Sequence, residues 1–223
     1  MTASATAHPV PYYSQWESPD LVPAFITGSR QVSTDPLWQK SGAATPEEYA
    51  FWAPRMCGVA CLRMALDFWG LPVPPSVPLV GELQEAGAYI RDGDQVKGLI
   101  YQPFASFVTA RWGAYARAAA ELPATEIRAE IARGRLVMVS VHKSVRTPEV
   151  TPPSRGGHLV LVVGARDGGV LLHNPSGLPG RSQEFAPVSW TALDRFYAGR
   201  GVVLAGPTEG EAQRDPHDLG RDR

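Results

Sequence analysis

The segment 57–69, Cys-Gly-Val-Ala-Cys-Leu-Arg-Met-Ala-Leu-Asp-Phe-Trp, constrains the fold more tightly than any other part of the chain. At helical spacing, Cys57, Cys61, Met64, Ala65 and Phe68 share one stripe, and Val59, Leu62, Leu66 and Trp69 share another. Only Arg63 and Asp67 carry charge, and at four residues apart they are predicted to pair on a narrow exposed strip. A helix that is apolar nearly all round must be enclosed by other elements, so this one is predicted to be the central, buried helix of a domain. Gly70 stops it and Pro72 follows just beyond. With 44% hydrophobic residues the chain has the material to enclose it.

Around this helix the pattern is helical on the N-terminal side and extended on the C-terminal side. Residues 9–15, with Pro9 and Pro11, read as a short edge strand or extended arm, because proline cannot donate to a sheet. Residues 16–55 lack periodicity and are expected to form loops and short helices. Helices are predicted over 75–87, 103–112 and 124–133, the last ended by Gly134. Residues 114–119 suit a strand after Gly113 or a continuation of the preceding helix. Strands are predicted over 136–141, 158–164, 170–173 and 201–205, with 165–169 as a hairpin turn. Helices first and antiparallel strands later imply an α+β fold of two lobes. Residues 1–8 and 207–223 hold little to bury and are expected to be disordered ends of a single domain over 9–206.

Composition excludes little but weights the classes. A formal net charge of −1 gives no reason to expect a nucleic-acid or anionic-membrane partner. The two cysteines, Cys57 and Cys61, share a helical face without disulfide geometry, and read as free thiols suited to a reducing compartment. There is no secretory signal pattern and no apolar run of bilayer length, so a cytoplasmic location is expected. No P-loop pattern is present, and Cys-x3-Cys on a helix is not a usual zinc knuckle.

The residues that carry chemistry are Cys57, His158 and Asn174. Cys57 opens the buried helix, where the dipole and unsatisfied backbone N–H groups favour thiolate, the nucleophilic form. Gly58 is expected to leave room for a substrate carbonyl, with the Cys57 N–H facing the oxyanion. Cys61, a turn deeper, reads as packing. His158 opens a strand behind Gly156 and Gly157, accessible to a cleft. The hairpin returns residue 174 to within a residue or two of the position opposite it, so Asn174 is placed to accept from one imidazole nitrogen and fix the ring. His173 is the competing base but points to the other face of its strand. His142 lies at a strand end, where it is placed to line the cleft but nothing pairs with it, and His8 and His217 fall in the expected disordered ends.

Three blocks carry a family resemblance: Val10-Pro-Tyr-Tyr-Ser-Gln15, Cys57-Gly-Val-Ala-Cys-Leu-Arg-Met64, and Gly157-His-Leu-Val-Leu-Val-Val-Gly164 followed by Leu171-Leu-His-Asn-Pro175. In this order they resemble the papain-like cysteine peptidases, and more narrowly the branch of bacteriocin leader peptidases that cut after double glycine. The resemblance implies a papain-like two-lobe fold, an N-terminal helical lobe with the central helix and a C-terminal antiparallel sheet. It also implies a Cys57–His158–Asn174 triad and Gln15 as oxyanion-hole donor. The gap from Gln15 to Cys57 is longer than that branch leads one to expect, and its third member is often aspartate where this chain has Asn174. No transporter segment follows, so a stand-alone enzyme is expected. The implied activity is cysteine-peptidase or amide hydrolysis of a peptide or amide substrate through a thioester, without metal or cofactor. The same acyl-enzyme serves a transpeptidase or acyltransferase, and a non-catalytic peptide-binding relative would share the fold. Specificity is expected to reside in 16–55 and in 143–157, whose proline and glycine content suits a mobile lid.

Overall fold

The computed structural model describes residues 6–207, so residues 1–5 and 208–223 of the two expected disordered ends, with His217, lie outside the described residues. Strand β1 (Thr6–Ala7) and an extended arm lead into α1 (Val22–Thr27), α2 (Pro46–Trp52), α3 (Cys57–Phe68) and α4 (Ser76–Glu85), joined by short 3-10 turns. A small hairpin, β2 (Ile90–Asp92) and β3 (Gln95–Lys97), precedes α5 (Tyr101–Trp112). The sheet lobe follows as β4 (Tyr115–Ala119), α6 (Ala124–Ala132), β5 (Leu136–Val141), β6 (His158–Arg166), β7 (Gly169–His173), β8 (Ala186–Ser189), α7 (Trp190–Phe196) and β9 (Tyr197–Ala205). The strands pair antiparallel in the order β4-β9-β5-β6-β7-β8, and β1 joins β6 at Gly164 and Ala165. This is the α+β, two-lobe arrangement that the sequence predicts.

Alternation along the central strands sets what lies on each side. Leu136 and Met138 of β5, Leu159, Leu161 and Val163 of β6, and Val202 and Leu204 of β9 join the core built around α3. Their neighbours Val137, Val139, Val160, Val162 and Val203 pack instead with Ile127 and Ile131 of α6 and Leu193 and Phe196 of α7. A strand buried on both faces has no polar alternation to show, which is why β5 and β6 read as continuous apolar runs.

The helix expected to be central is central: Val59 to Leu66 are all buried. Its charged strip differs from expectation. Arg63 is 9% exposed and turns from Asp67 to Glu17, at 3.6 Å, while Asp67 accepts from the Tyr13 hydroxyl at 3.0 Å. The N-terminal arm lies over this face, with the Arg63 guanidinium 4.7 Å from the Tyr13 ring centre. A contact between residues so far apart in sequence is invisible to helical periodicity. Residues 114–119 resolve as strand, because Gly113 takes a left-handed conformation (φ 64°) that ends α5 and frees the next residues to pair with β9.

The segment 16–55 is folded around one acid. Asp35 is 1% exposed and accepts from the Ser18 hydroxyl (2.5 Å), the Tyr49 hydroxyl (2.6 Å) and the Leu37 N–H (2.9 Å). With the Ser18 N–H at 3.2 Å, four donors replace the water a buried carboxylate loses, so one side chain ties down a stretch with few apolar residues in register. The arm itself is extended, and Thr6 and Ala7, inside the stretch read as a disordered terminus, pair with β6. His8 belongs to it: its N–H donates to Val163 O at 2.8 Å and its ring lies 3.1 Å from Ile131 O.

Candidate active site

Cys57 is the first residue of α3 and is partly exposed, whereas Cys61 is fully buried. The N-terminal turn of α3 has no side-chain cap, so its backbone N–H groups are free for another acceptor. Burial pushes the Cys57 thiol up from its ordinary value, while the backbone N–H groups of Leu159, Gly58 and Cys57 pull the other way. Withdrawal from water therefore opposes the pull toward thiolate that a helix terminus alone would exert. Leu159 follows His158, so its N–H at the thiol marks where α3 meets the mouth of β6. Gly58 is approached closely by two side chains of the cleft lining. A Cβ there would meet Leu99 Cδ2 at 3.0 Å and Leu159 Cδ1 at 3.1 Å, so the glycine lets both leucines come up to the first turn of the helix.

His158 begins β6 directly after Gly156 (φ 79°) and Gly157 (φ 92°), backbone angles that only glycine adopts without strain. Its Nε2 lies 2.8 Å from Asn174 Oδ1. The same Oδ1 accepts the Ser176 backbone N–H at 3.1 Å, and because a backbone N–H only donates, the amide orientation is determined. Nε2 of His158 is then the donor, which leaves Nδ1 unprotonated in the neutral ring. Asn174 is itself held by its N–H to Gln183 O (2.7 Å) and by Tyr12, whose hydroxyl donates to its carbonyl (2.9 Å).

Ser176 was not singled out in the sequence. Its hydroxyl lies 3.1 Å from His158 Nε2 and receives a bond from Arg146 Nη2 at 2.9 Å. A register signal existed: β6 and β7 pair Leu161 with His173, and continued past that pair the position opposite His158 is 176. The bulge between Val162 and Gly164 supplies the offset. The His158 pKa is lowered from 6.5 to about 4, chiefly by burial; the Asn174 bond opposes the shift, and Arg146, His142 and Lys143 add to it.

Cys57, His158, Ser176 and Gln15 all line one cleft of about 920 Å³ between the lobes. Gln15 is buried and its Nε2 donates to Ala53 O at 2.9 Å, while its Oε1 finds no partner among the described residues. Its backbone N–H donates to Pro175 O at 2.9 Å, which fixes the arm beside Asn174. Trp16 lines the same cleft, and Trp52 is buried. His173 is buried elsewhere, with Nε2 2.8 Å from Val10 O and Nδ1 accepting the Phe185 N–H at 3.0 Å, so both ring nitrogens are occupied by backbone. His142 lines the cleft, as its place at a strand end allows, but against expectation it has a partner, Ser144, at 2.7 Å. Among the described residues no helix is long and apolar enough to cross a membrane.

Comparison with known proteins bears on the family and the fold. The family model described as the Peptidase_C39 like family matches residues 8–197. No curated protein matches the sequence. Among solved structures, a protein from Bacillus anthracis described as a C39-like peptidase is similar in fold, with 11% identity, a TM-score of 0.56, and 93% of this chain and 100% of that chain covered. The peptidase domain of Streptococcus ComA, a bifunctional ABC transporter involved in a quorum-sensing pathway, matches at 16% identity and a TM-score of 0.48, over 69% of this chain and 93% of that one.

Proposed function

We propose, on the premise that this chain belongs to the Peptidase_C39 like family, that it hydrolyses a peptide or amide bond with Cys57 as nucleophile, His158 as general base and acid, and Asn174 as the residue that orients the imidazole. The observation that carries this reading is the 2.8 Å bond from His158 Nε2 to Asn174 Oδ1 beside a cleft that Cys57 also lines. With Nε2 committed to donating, Nδ1 is the atom that takes the thiol proton. With the thiol pushed up and the imidazole down to about 4, the resting pair is neutral, and the proton crosses as Cys57 Sγ attacks the carbonyl carbon.

The oxyanion that forms meets the Cys57 backbone N–H and the second amide hydrogen of Gln15, whose first is held by Ala53. Collapse breaks the C–N bond, His158 returns its proton to the leaving amine, and a thioester remains. Water, deprotonated by His158, then releases the acid. The two free thiols suit a reducing compartment such as the cytoplasm.

The test reads Cys57 and Cys61 separately by mass spectrometry during iodoacetamide labelling across pH, in the wild type and in His158→Ala. Cys57 is expected to label far ahead of buried Cys61, and the substitution to slow it by about 10²-fold or more. A Cys57 rate that the substitution leaves unchanged sinks the catalytic pair and leaves a peptidase fold without its chemistry.

A further inference from the structure

The cleft is one-sided in charge. Arg55, His142, Lys143, Arg146 and Arg200 line it, and no aspartate or glutamate does. Arg55 is accounted for by structure: it lies 4.3 Å from the Phe51 ring centre and donates to the carbonyls of Phe51 and Asp94.

Arg146 is not accounted for in this way. It is half-buried in the short turn Lys143–Arg146. Its Nε donates to Lys143 O and its Nη2 to Ser176 Oγ, each at 2.9 Å, and both acceptors are neutral. Among the described residues no carboxylate oxygen comes within 4.0 Å of Arg146, Lys143 or Arg200, although surface arginines such as Arg111, Arg128 and Arg181 each find one. A guanidinium partly withdrawn from water, held in place by neutral acceptors and left without a counter-ion, is a prepared receptor for an anion. A carboxylate fits its planar fork best.

The place of this receptor relative to the reaction follows from His158. The imidazole that protonates the leaving amine stands on the amine side of the scissile bond. Arg146 stands beside that imidazole, in the turn that follows β5, whose Val141 pairs with His158, and it lines the same cleft. Trp16, Ile26, Val96 and Leu99 add apolar lining to the same cleft. We propose that the substrate bears a carboxylate on the amine side of the scissile bond, bound by Arg146 with Lys143 beside it. This rests on the catalytic reading of Cys57 and His158, and two sources share the chemistry: an acidic side chain, or the terminal carboxylate of a short leaving group.

The experiment compares iodoacetate with iodoacetamide at Cys57 in the full chain. Relative to a small free thiol, the iodoacetate-to-iodoacetamide rate ratio is expected to be raised about tenfold at low salt and to fall back as salt screens the charge. Arg146→Gln is expected to remove most of the excess, and Arg146→Lys, which keeps the charge, to retain it. A ratio equal to that of the free thiol, or one indifferent to Arg146→Gln, overturns the proposal. The iodoacetamide rate in His158→Ala reports separately on the catalytic pair, so the two failures are distinguishable.

Protection of Cys57 from iodoacetamide by amine-side fragments then locates the carboxylate. Glutamyl-glycinamide carries it on a side chain, glycylglycine at its terminus, and glutaminyl-glycinamide carries none. Protection by either charged fragment at about tenfold lower concentration than the neutral one supports the site and identifies the source. Equal protection by all three overturns it.

Discussion

At the scale of single residues, the site is built on neutrality. Asn174 orients His158 without lending it charge, and burial together with Arg146, His142 and Lys143 holds the imidazole near pKa 4. A protonated imidazole cannot accept the thiol proton, so activity is expected to fall only as pH drops through that low value. Asn174→Asp keeps the acceptor but adds an anion, which favours imidazolium. Its acid limb in a pH–rate profile is expected to move upward by about 1–3 units. An unmoved limb would mean that residue 174 does not face the titrating group. The same shift bears on stability. Because the folded-state pKa of His158 lies below its ordinary 6.5, the unfolded chain binds the extra proton as pH falls from 6.5 to about 4. Stability is therefore full above that window, declines through it, and is flat below. Comparing urea unfolding at pH 7 and pH 4.5, the wild type is expected to lose about 2 kcal/mol more than His158→Gln.

At the scale of elements, α3 is held in place because its first turn and its flank are claimed by distant chain. Leu99 and Leu159 close over Gly58 at one end. Along the flank, the pair Arg63–Glu17, with Ser76 donating to Glu17 at 3.0 Å, joins the helix to the arm and to α4. Arg63→Met leaves the half-buried Glu17 without its counter-charge and is expected to cost about 2 kcal/mol in urea unfolding. Glu17→Gln combined with Arg63→Met removes the stranded charge, so the double variant is expected to be more stable than Arg63→Met alone. If instead the two losses simply add, the pair is not coupled.

At the scale of the whole molecule, the lobes are not independent bodies. β5, β6 and β9 serve two cores at once, one built around α3 and the other under α6 and α7. The arm binds β6 through His8, the loop after β7 through Gln15, and Asn174 through Tyr12 before it reaches the helices. Melting either core withdraws support from the other, so urea unfolding is expected to be one transition, with coincident midpoints by tryptophan fluorescence and by Cys61 labelling. Two separate midpoints would show that the lobes fold apart and that the cleft is a hinge between them.

How much was legible in the sequence depends on the range of the interaction involved. The buried helix, the order of helices before strands, the hairpin, and the pairing of His158 with Asn174 all arise from residues close in sequence. Helical period, strand alternation and turn chemistry report such contacts directly. The same rules missed β8, the hairpin β2–β3 and α7, which are short and take their stability from neighbours rather than from pattern. Long-range contacts left no periodic trace: Arg63 meeting Glu17, Asp35 gathering donors from Ser18 and Tyr49, Leu159 and Cys57 lining one cleft, Ser176 bridging His158 to Arg146. The sequence by itself determined which residues could do chemistry and which local unit would present each of them. Only the tertiary structure decided that burial would set both members of the pair neutral and that basic side chains without acids would line their cleft. Desolvation and charge depend on everything within reach in space, and distance along the chain does not measure that.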